Sequence, residues 1–180
     1  IHLQKPTVSC SFFDILILPE HDNVKGKNVF KTEGALSFYN YKDINDSYKI
    51  NKKKLKNFKR PNVLLLLGGD NKRYNVSYGE YCTFLLKVKY AVENISGNLI
   101  VSTSRRTPNK VTKIINIVFK QFKNKFFLLN DKENNLYPGM LKITDFVIVT
   151  SDSVNMISEV ATINIPLFIG FLKEEEKGKL

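Results

Sequence analysis

Several features that would announce a function at once are missing. No apolar run approaches the roughly 20 residues that span a bilayer; the longest, Ile15 to Leu18 and Val63 to Leu67, have the length of strands. No transmembrane segment is expected. The two cysteines, Cys10 and Cys82, lack CxxC spacing, and with only two histidines no zinc constellation can be assembled. Two buried thiols in a reducing compartment are expected instead. Neither G-x-G-x-x-G nor G-x-x-x-x-G-K-[ST] occurs, so the glycine signatures of NAD-binding and P-loop proteins are absent. There is no starting methionine and no basic-then-apolar leader, and the sequence stops in the charged stretch FLKEEEKGKL. We expect both ends to be cut from a longer protein.

The net charge of +11 would suit a nucleic acid or an anionic membrane as partner. The lysines, however, are dispersed among many asparagines, which reads as a solvated surface. The one dense run, Lys52-Lys53-Lys54 with Lys56, lies in a connecting segment without the Gly-flanked aromatics of a single-strand-binding sheet. No nucleic-acid partner is expected.

What is present is a core and a rhythm. At 180 residues and 43% apolar, the chain can hold one full domain, or one and part of a second. From Arg60 onward strand and helix alternate. NVLLLLGG is a continuous apolar run closed by two glycines, as in a strand buried on both faces of a parallel sheet. Ser77 and Glu80 have the spacing of a capping box for a helix whose apolar face is Tyr81, Phe84, Leu85, Val88, Val92 and Ile95 and which Gly97 ends. NLIVSTS is a second strand. Thr107-Pro108 follow as cap and first helical residue, then the stripe Val111, Ile114, Ile115, Val118, Phe119 and Phe122. KFFLL, DFVIV and PLFIGF are three further strands, with short helices at YPGMLKI and at Val154 to Ile163. This alternation predicts a Rossmann-like open parallel sheet in an α/β fold with helices on both faces.

Residues 1–59 stand outside that rhythm. FFDILILPEHD is one more buried strand, and NVFKTEGALSFYN holds one or two shorter ones. The stretch KDINDSYKINKKKLKNFKRP reads as a solvent-facing helix or linker. The expected organisation is therefore the end of one α/β domain over 1–40, a linker or helix over 41–60, and a second Rossmann-like domain over 61–180.

Open α/β sheets bind ligands at the carboxyl ends of their strands, and the residues expected there share a chemistry. After the first strand come Gly68, Gly69 and Asn71; after the second, Ser104, Arg105 and Arg106; after the fourth, Ser151, Asp152 and Ser153. Glycines let a backbone approach a ligand, arginines offer forked donors to phosphate, and hydroxyls before a helix add donors where its dipole favours anions. Each has a plain structural reading as well: a tight turn for the glycines, a solvated pair for the arginines, an N-cap for Ser153. Their convergence on one edge points to a phosphate-bearing ligand. Elsewhere, Glu20, His21 and Asp22 are the one cluster resembling an acid/base site. An imidazole among carboxylates can take a proton from an acceptor hydroxyl, or the group can simply shape a turn.

The motifs LLLLGGDNKRYNVS, LIVSTSRRTP and YPGMLKITDFVIVTSDSVNMISE, with the earlier FDILILPEHD, GKNVF and TEGAL, resemble the family named for the plant elongated-mitochondria (ELM) fission protein. The resemblance runs through nearly the whole chain. It implies a GT-B architecture, two Rossmann-like domains across a cleft, with residues 61–180 forming most of the nucleotide-sugar side. By the pattern of GT-B enzymes, Ser151 and Ser153 then take a donor diphosphate and Glu159 its ribose hydroxyls, although Glu159 also reads as an exposed helix residue. Glu20, His21 and Asp22 would stand at the cleft as catalytic residues. This chain has Asn164 where the family usually has Gly after the helix, and Asn suits the same left-handed helix end.

Two functions are weighed. One is a glycosyltransferase-like, nucleotide-sugar-binding protein, with no cofactor and an unidentified acceptor. The other is a non-catalytic scaffold that keeps the GT-B shape, as the plant relative is thought to do when it recruits a dynamin-type GTPase. The expected location is the cytoplasm, with room for peripheral attachment at a membrane surface.

Overall fold

The computed structural model describes residues 1–37, 39–58, 60–69, 76–129 and 136–173. The chain runs β1 (His2–Leu3), β2 (Leu16–Pro19), β3 (Val29–Thr32), α1 (Tyr41–Leu55), β4 (Asn62–Leu67), α2 (Tyr78–Asn94), β5 (Asn98–Thr103), α3 (Asn109–Val118), β6 (Phe126–Leu129), α4 (Tyr137–Ile143), β7 (Phe146–Thr150), α5 (Val154–Ala161) and β8 (Leu167–Gly170). The first three strands form a small parallel sheet, β1-β2-β3. The last five form a second parallel sheet in the order β6-β5-β4-β7-β8. The α/β fold and the five-stranded parallel sheet read from the sequence are those observed, and Leu16–Pro19 lies in a different sheet from Phe146–Thr150.

β4 sits at the centre of the larger sheet and every one of its residues is buried. Its side chains alternate, as a strand's must. Val63, Leu65 and Leu67 enter one core with Tyr81, Leu85 and Val88 of α2 and Val111 and Ile115 of α3. Leu64 and Leu66 enter another with Ile44 and Leu55 of α1, Met140 and Leu141 of α4, and Val160 of α5. The sheet is thus covered on both faces, which is why its central strand can be apolar throughout.

The stretch expected as a solvent-facing helix or linker is helix α1, and it differs from that expectation in burying one face. Ile44 and Leu55 are buried, with Tyr48 packed beside them, because residues spaced by four and seven share one helix face. The lysines occupy the other face. A capping box starts the helix: Asn40 Oδ1 accepts from Asp43 N at 3.0 Å and Asp43 Oδ2 accepts from Asn40 N at 3.0 Å. Ser47 Oγ also accepts a hydrogen bond from Gly139 N of α4 at 3.0 Å.

Other boundaries shift for identifiable reasons. Ser77 Oγ accepts from Glu80 N at 3.1 Å, but the Glu80 carboxylate accepts from Lys173 N at 3.2 Å, so only half of the expected capping box forms. The left-handed residue after α2 is Ser96, at φ 51°, while Gly97 N closes the turn on Val92 O at 2.9 Å. Pro108 is the cap of α3 and not its first helical residue. α5 ends at Ala161 with right-handed Thr162 as its cap, so Asn164 is not its left-handed end.

Leu65 is fully buried. Leu65→Ala is expected to cost about 2–5 kcal/mol, whereas Ile117→Ala, at a residue 72% exposed, should stay within about 0.5 kcal/mol. Urea unfolding of both variants checks this, and equal midpoints would contradict the assigned core.

Candidate functional site

β4 and β7 are neighbours, but the chain leaves β4 toward β5 and returns from β6 to β7 on the other side. That reversal makes the gap above β4 and β7 the switch point where α/β sheets hold ligands. Three loops meet there: Gly68–Gly69 after β4, Ser104–Thr107 after β5, and Ser151–Ser153 after β7.

The loops are tied to one another first. Gly68 N donates to Thr150 Oγ1 at 2.8 Å, and Gly69 N donates to Asp152 Oδ2 at 2.8 Å. Arg106 Nη2 lies 3.9 Å from the same Asp152 oxygen. Thr107 Oγ1 donates to Gly68 O and accepts from Ser104 N at 2.9 Å, while Ser104 Oγ accepts from Arg106 N at 3.1 Å. Both glycines are required by crowding. A Cβ on Gly68 would collide with the Asp152 carboxylate, and one on Gly69 with the Arg106 backbone. The structure therefore gathers Gly68, Gly69, Ser104, Arg106 and Asp152, largely by bonds within the protein. The Asp152 side chain is 4% exposed, and its Oδ1 is buried without a hydrogen-bond partner among the described residues.

Around this knot some donors are left over. Ser151 continues the β7–β8 ladder, its N donating to Gly170 O at 3.0 Å. Ser153 is buried at the start of α5 but makes no capping bond with its side chain, so its hydroxyl does not satisfy the first amides of that helix. Arg105 is exposed and lines a cavity of about 350 Å³ with Thr103, Ser104, Asn109, Thr112 and Leu128. Asn71 lies outside the described residues.

Glu159 is in the second turn of α5, and it is not the exposed helix residue of the plainer reading. Its Oε1 is buried and has no hydrogen-bond partner among the described residues. Tyr137 of α4 makes a hydrogen bond to the carboxylate, and burial pushes the Glu159 carboxyl above its usual range while that bond works against the rise. Burial, then the charge and hydrogen bond of Glu159, holds the Tyr137 phenol far above its ordinary value. Tyr39, whose ring centroid is 5.7 Å from that of Tyr137, is raised by burial and then by the charges of Glu159 and Asp43. Next to Glu159, Ser158 Oγ accepts from Ala35 N at 3.0 Å.

Not all of the expected residues come together. The cavity at Arg105 opens beside α3, on the face of the sheet that α2 and α3 cover, whereas Glu159 and Tyr137 lie on the face of α1, α4 and α5. Glu20, His21 and Asp22 form a short 3-10 turn at the end of β2 in the smaller sheet, and no hydrogen bond or ion pair of their side chains is found among the described residues. Among the described residues no group of three His, Cys, Asp or Glu could hold a metal, and no helix is long and apolar enough to cross a membrane.

Comparison with known proteins settles the lineage. The family described as Mitochondrial fission ELM1 matches residues 1–180. The chain belongs to the ELM1 family. It is 25% identical over 196 residues to the mitochondrial fission protein ELM1 of Arabidopsis thaliana, covering 94% of this chain and 44% of that protein. It is 29% identical over 157 residues to the uncharacterized protein RP120 of Rickettsia prowazekii (strain Madrid E), covering 83% and 42%. The ELM1-family chain thus spans less than half the length of these curated relatives. It also shares a fold likeness with a crystal structure of POFUT1 in complex with GDP-fucose, at 12% identity and a TM-score of 0.47, covering 76% of this chain and 47% of that one.

Three contact residues of this ELM1-family edge were not singled out from the sequence: Tyr39, Tyr137 and Ser158. Thr107 was read only as a helix cap. The signal for Tyr137 was the YPGMLKI helix itself, whose first residue points at α5.

Two outcomes follow from this geometry. Gly68→Ala should cost about 1–3 kcal/mol in urea unfolding, as overpacking does, because Asp152 must move; no loss would mean the loops are not interlocked. Glu159 holds its proton to higher pH when folded than when unfolded, so the folded state binds more protons between the two values. Its contribution is present below the unfolded value and is lost as pH rises through the folded one. Glu159→Gln should flatten that decline in a series of thermal melts from pH 4 to 8, and an unchanged slope would contradict a buried carboxyl.

Proposed function

We propose that this ELM1-family chain carries the donor-holding edge of a glycosyltransferase-like protein that binds a nucleotide sugar. The observation that carries the reading is α5: the Ser153 side chain at its cap bonds none of its first amides, and in its second turn Glu159 keeps a buried carboxylate oxygen with no hydrogen-bond partner among the described residues. A helix start that its own cap residue leaves unbonded favours a phosphate, with Ser151, Ser153 and the exposed guanidinium of Arg106 at hand, while Arg105 opens on the other face of the sheet. A carboxylate is the complement of a sugar hydroxyl. A ligand with an anionic middle and a hydroxylated end suits both, and a nucleoside diphosphate is such a ligand.

In a transfer step the acceptor hydroxyl loses its proton to a base, its oxygen bonds the anomeric carbon, and the sugar–phosphate bond breaks with its electrons leaving on the nucleoside diphosphate. His21, with Glu20 and Asp22, supplies a base whose side chain makes no hydrogen bond or ion pair among the described residues. No cofactor is needed, and the setting is the cytoplasm or a membrane surface. A second reading, an interaction protein that has kept the shape without the chemistry, draws on the internal use of Gly69, Arg106 and Asp152 by one another.

Calorimetric titration of the full-length protein with UDP and GDP separates the two. Binding is expected, and Glu159→Gln should weaken it by about 1–3 kcal/mol, the cost of losing a charge-assisted bond. A dideoxyribose analogue should bind weakly and be indifferent to the mutation. No heat with either nucleotide would favour the interaction protein.

A further inference from the structure

Helix α1 carries the densest run of lysines in the chain, and the fold fixes which way they point. Ile44 and Leu55 are buried against the sheet with Tyr48 packed beside them. Residues three, four and seven apart share a helix face, so Lys42, Lys49, Lys53 and Lys56 stand on the side turned away from that core. All four are exposed, as are Lys52 and Lys54 beside them. Lys49 Nζ lies 3.5 Å from Asp46 Oδ1, and Asp43 Oδ2 is taken up by the Asn40 amide. No ion pair of Lys52, Lys53, Lys54 or Lys56 is found among the described residues, and no acidic residue occurs between Asp46 and Asp70. A second element extends the positive surface: Lys125, just before β6, donates from Nζ to Asn57 O at 3.2 Å and stands 4.6 Å from the centre of the Phe58 ring. Within this surface is Ile50, 83% exposed, with Lys53 and Lys54 one turn on. Cations in a last turn complement the helix dipole, which accounts for Lys52 to Lys54. It does not account for an aliphatic side chain held in water among them.

We propose that the outer face of α1 docks on an anionic lipid surface, its lysines at the headgroup phosphates and Ile50 at the boundary of the acyl layer. Charge complementarity selects an anionic partner, and a cluster of lysines on one helix face is drawn to anionic headgroups. The aliphatic residue selects lipid, since an exposed isoleucine among cations gains by leaving water for hydrocarbon. A single-stranded nucleic acid would call for aromatic side chains on which bases stack, and the run from Lys49 to Lys56 has none. Because the inner face of α1 is locked on the sheet, the outer face meets the membrane as a preformed surface. Such docking is independent of the nucleotide-sugar reading.

The test is flotation of the full-length protein with vesicles of phosphatidylcholine alone or mixed with phosphatidylglycerol, with thermal melts to establish that each variant is folded. Binding is expected to the mixed vesicles only, and it should weaken as salt is raised. Lys53→Gln/Lys54→Gln should lower the affinity about twenty-fold, the combined effect of two lysines at an anionic surface. Lys113→Gln/Lys120→Gln removes the same charge from exposed positions in and just after α3, which covers the opposite face of the sheet, and should leave binding nearly unchanged. Ile50→Ser should lower the affinity about ten-fold, through lost apolar burial. Absence of binding to mixed vesicles by the folded wild type overturns the assignment. An equal loss in the two lysine pairs overturns it as well, since net charge alone would then explain the binding. Unchanged vesicle binding by Ile50→Ser overturns lipid as the occupant, and if the wild type then binds a single-stranded RNA the surface belongs to nucleic acid.

Discussion

A strand that is apolar from Val63 to Leu67 and buried along its length must be covered on both faces and continued by backbone partners on both edges. β4 imposes this on everything around it. Its odd residues call for α2 and α3, its even residues for α1, α4 and α5, and β5 and β7 take up its hydrogen bonds. Its two ends are the places where polar chemistry must resume. At the start, Asn62 is fully buried yet satisfied: Nδ2 donates to Ile143 O at 2.9 Å, Oδ1 accepts from Asn98 Nδ2 at 2.9 Å, and the backbone N donates to Asp145 Oδ2 at 2.8 Å. Buried polar groups persist only when paired in this way.

At the other end the pairing among the described residues is incomplete. The amides of Gly68 and Gly69 are engaged by Thr150 and Asp152, so the two glycines serve close packing of the loops. Among the described residues, one oxygen of Asp152 and one of Glu159 have no hydrogen-bond partner. A buried carboxylate oxygen left unpaired costs free energy in the fold, a cost that the paired Asn62 at the opposite end avoids.

Much of the fold was legible because hydrophobic periodicity writes directly into strands and helices. The five strands and four of the helices after Arg60 stand where the apolar runs put them. Periodicity did not reveal that α1 packs on the second sheet, because its lysine-rich outer face masks a stripe of only a few apolar residues. Helix ends were less legible, since they turn on single hydrogen bonds: Glu80 reaches Lys173 instead of its own cap, and Ser96 takes the left-handed turn that Gly97 was expected to take. In the site, loop composition pointed to the carboxyl edge of the sheet. It could not separate residues that bind one another from residues with free donors, because that depends on which side of the sheet each loop folds over. Arg105 and Glu159 follow strands of the same sheet but sit on its two faces.

The Glu159 neighbourhood also lies where the two sheets meet in the chain. The segment leaving β3 is shaped by Thr32 Oγ1 donating to Gly34 O at 2.6 Å, and its next residue, Ala35, donates to Ser158 Oγ. The approach is close enough that a Cβ on Gly34 would stand 2.7 Å from that oxygen. Four residues later Tyr39 packs on Tyr137. The smaller sheet is thus attached to α5 within one residue of the carboxylate, and the attachment uses a hydroxyl and a ring contact in place of a broad apolar interface. Such contacts are individually worth about 1 kcal/mol, so they can part and re-form far more cheaply than the cores on either side of β4. A group that must be buried in one state and reached by a ligand in another is best placed at a junction of that kind, and Glu159 is the buried carboxylate that occupies it.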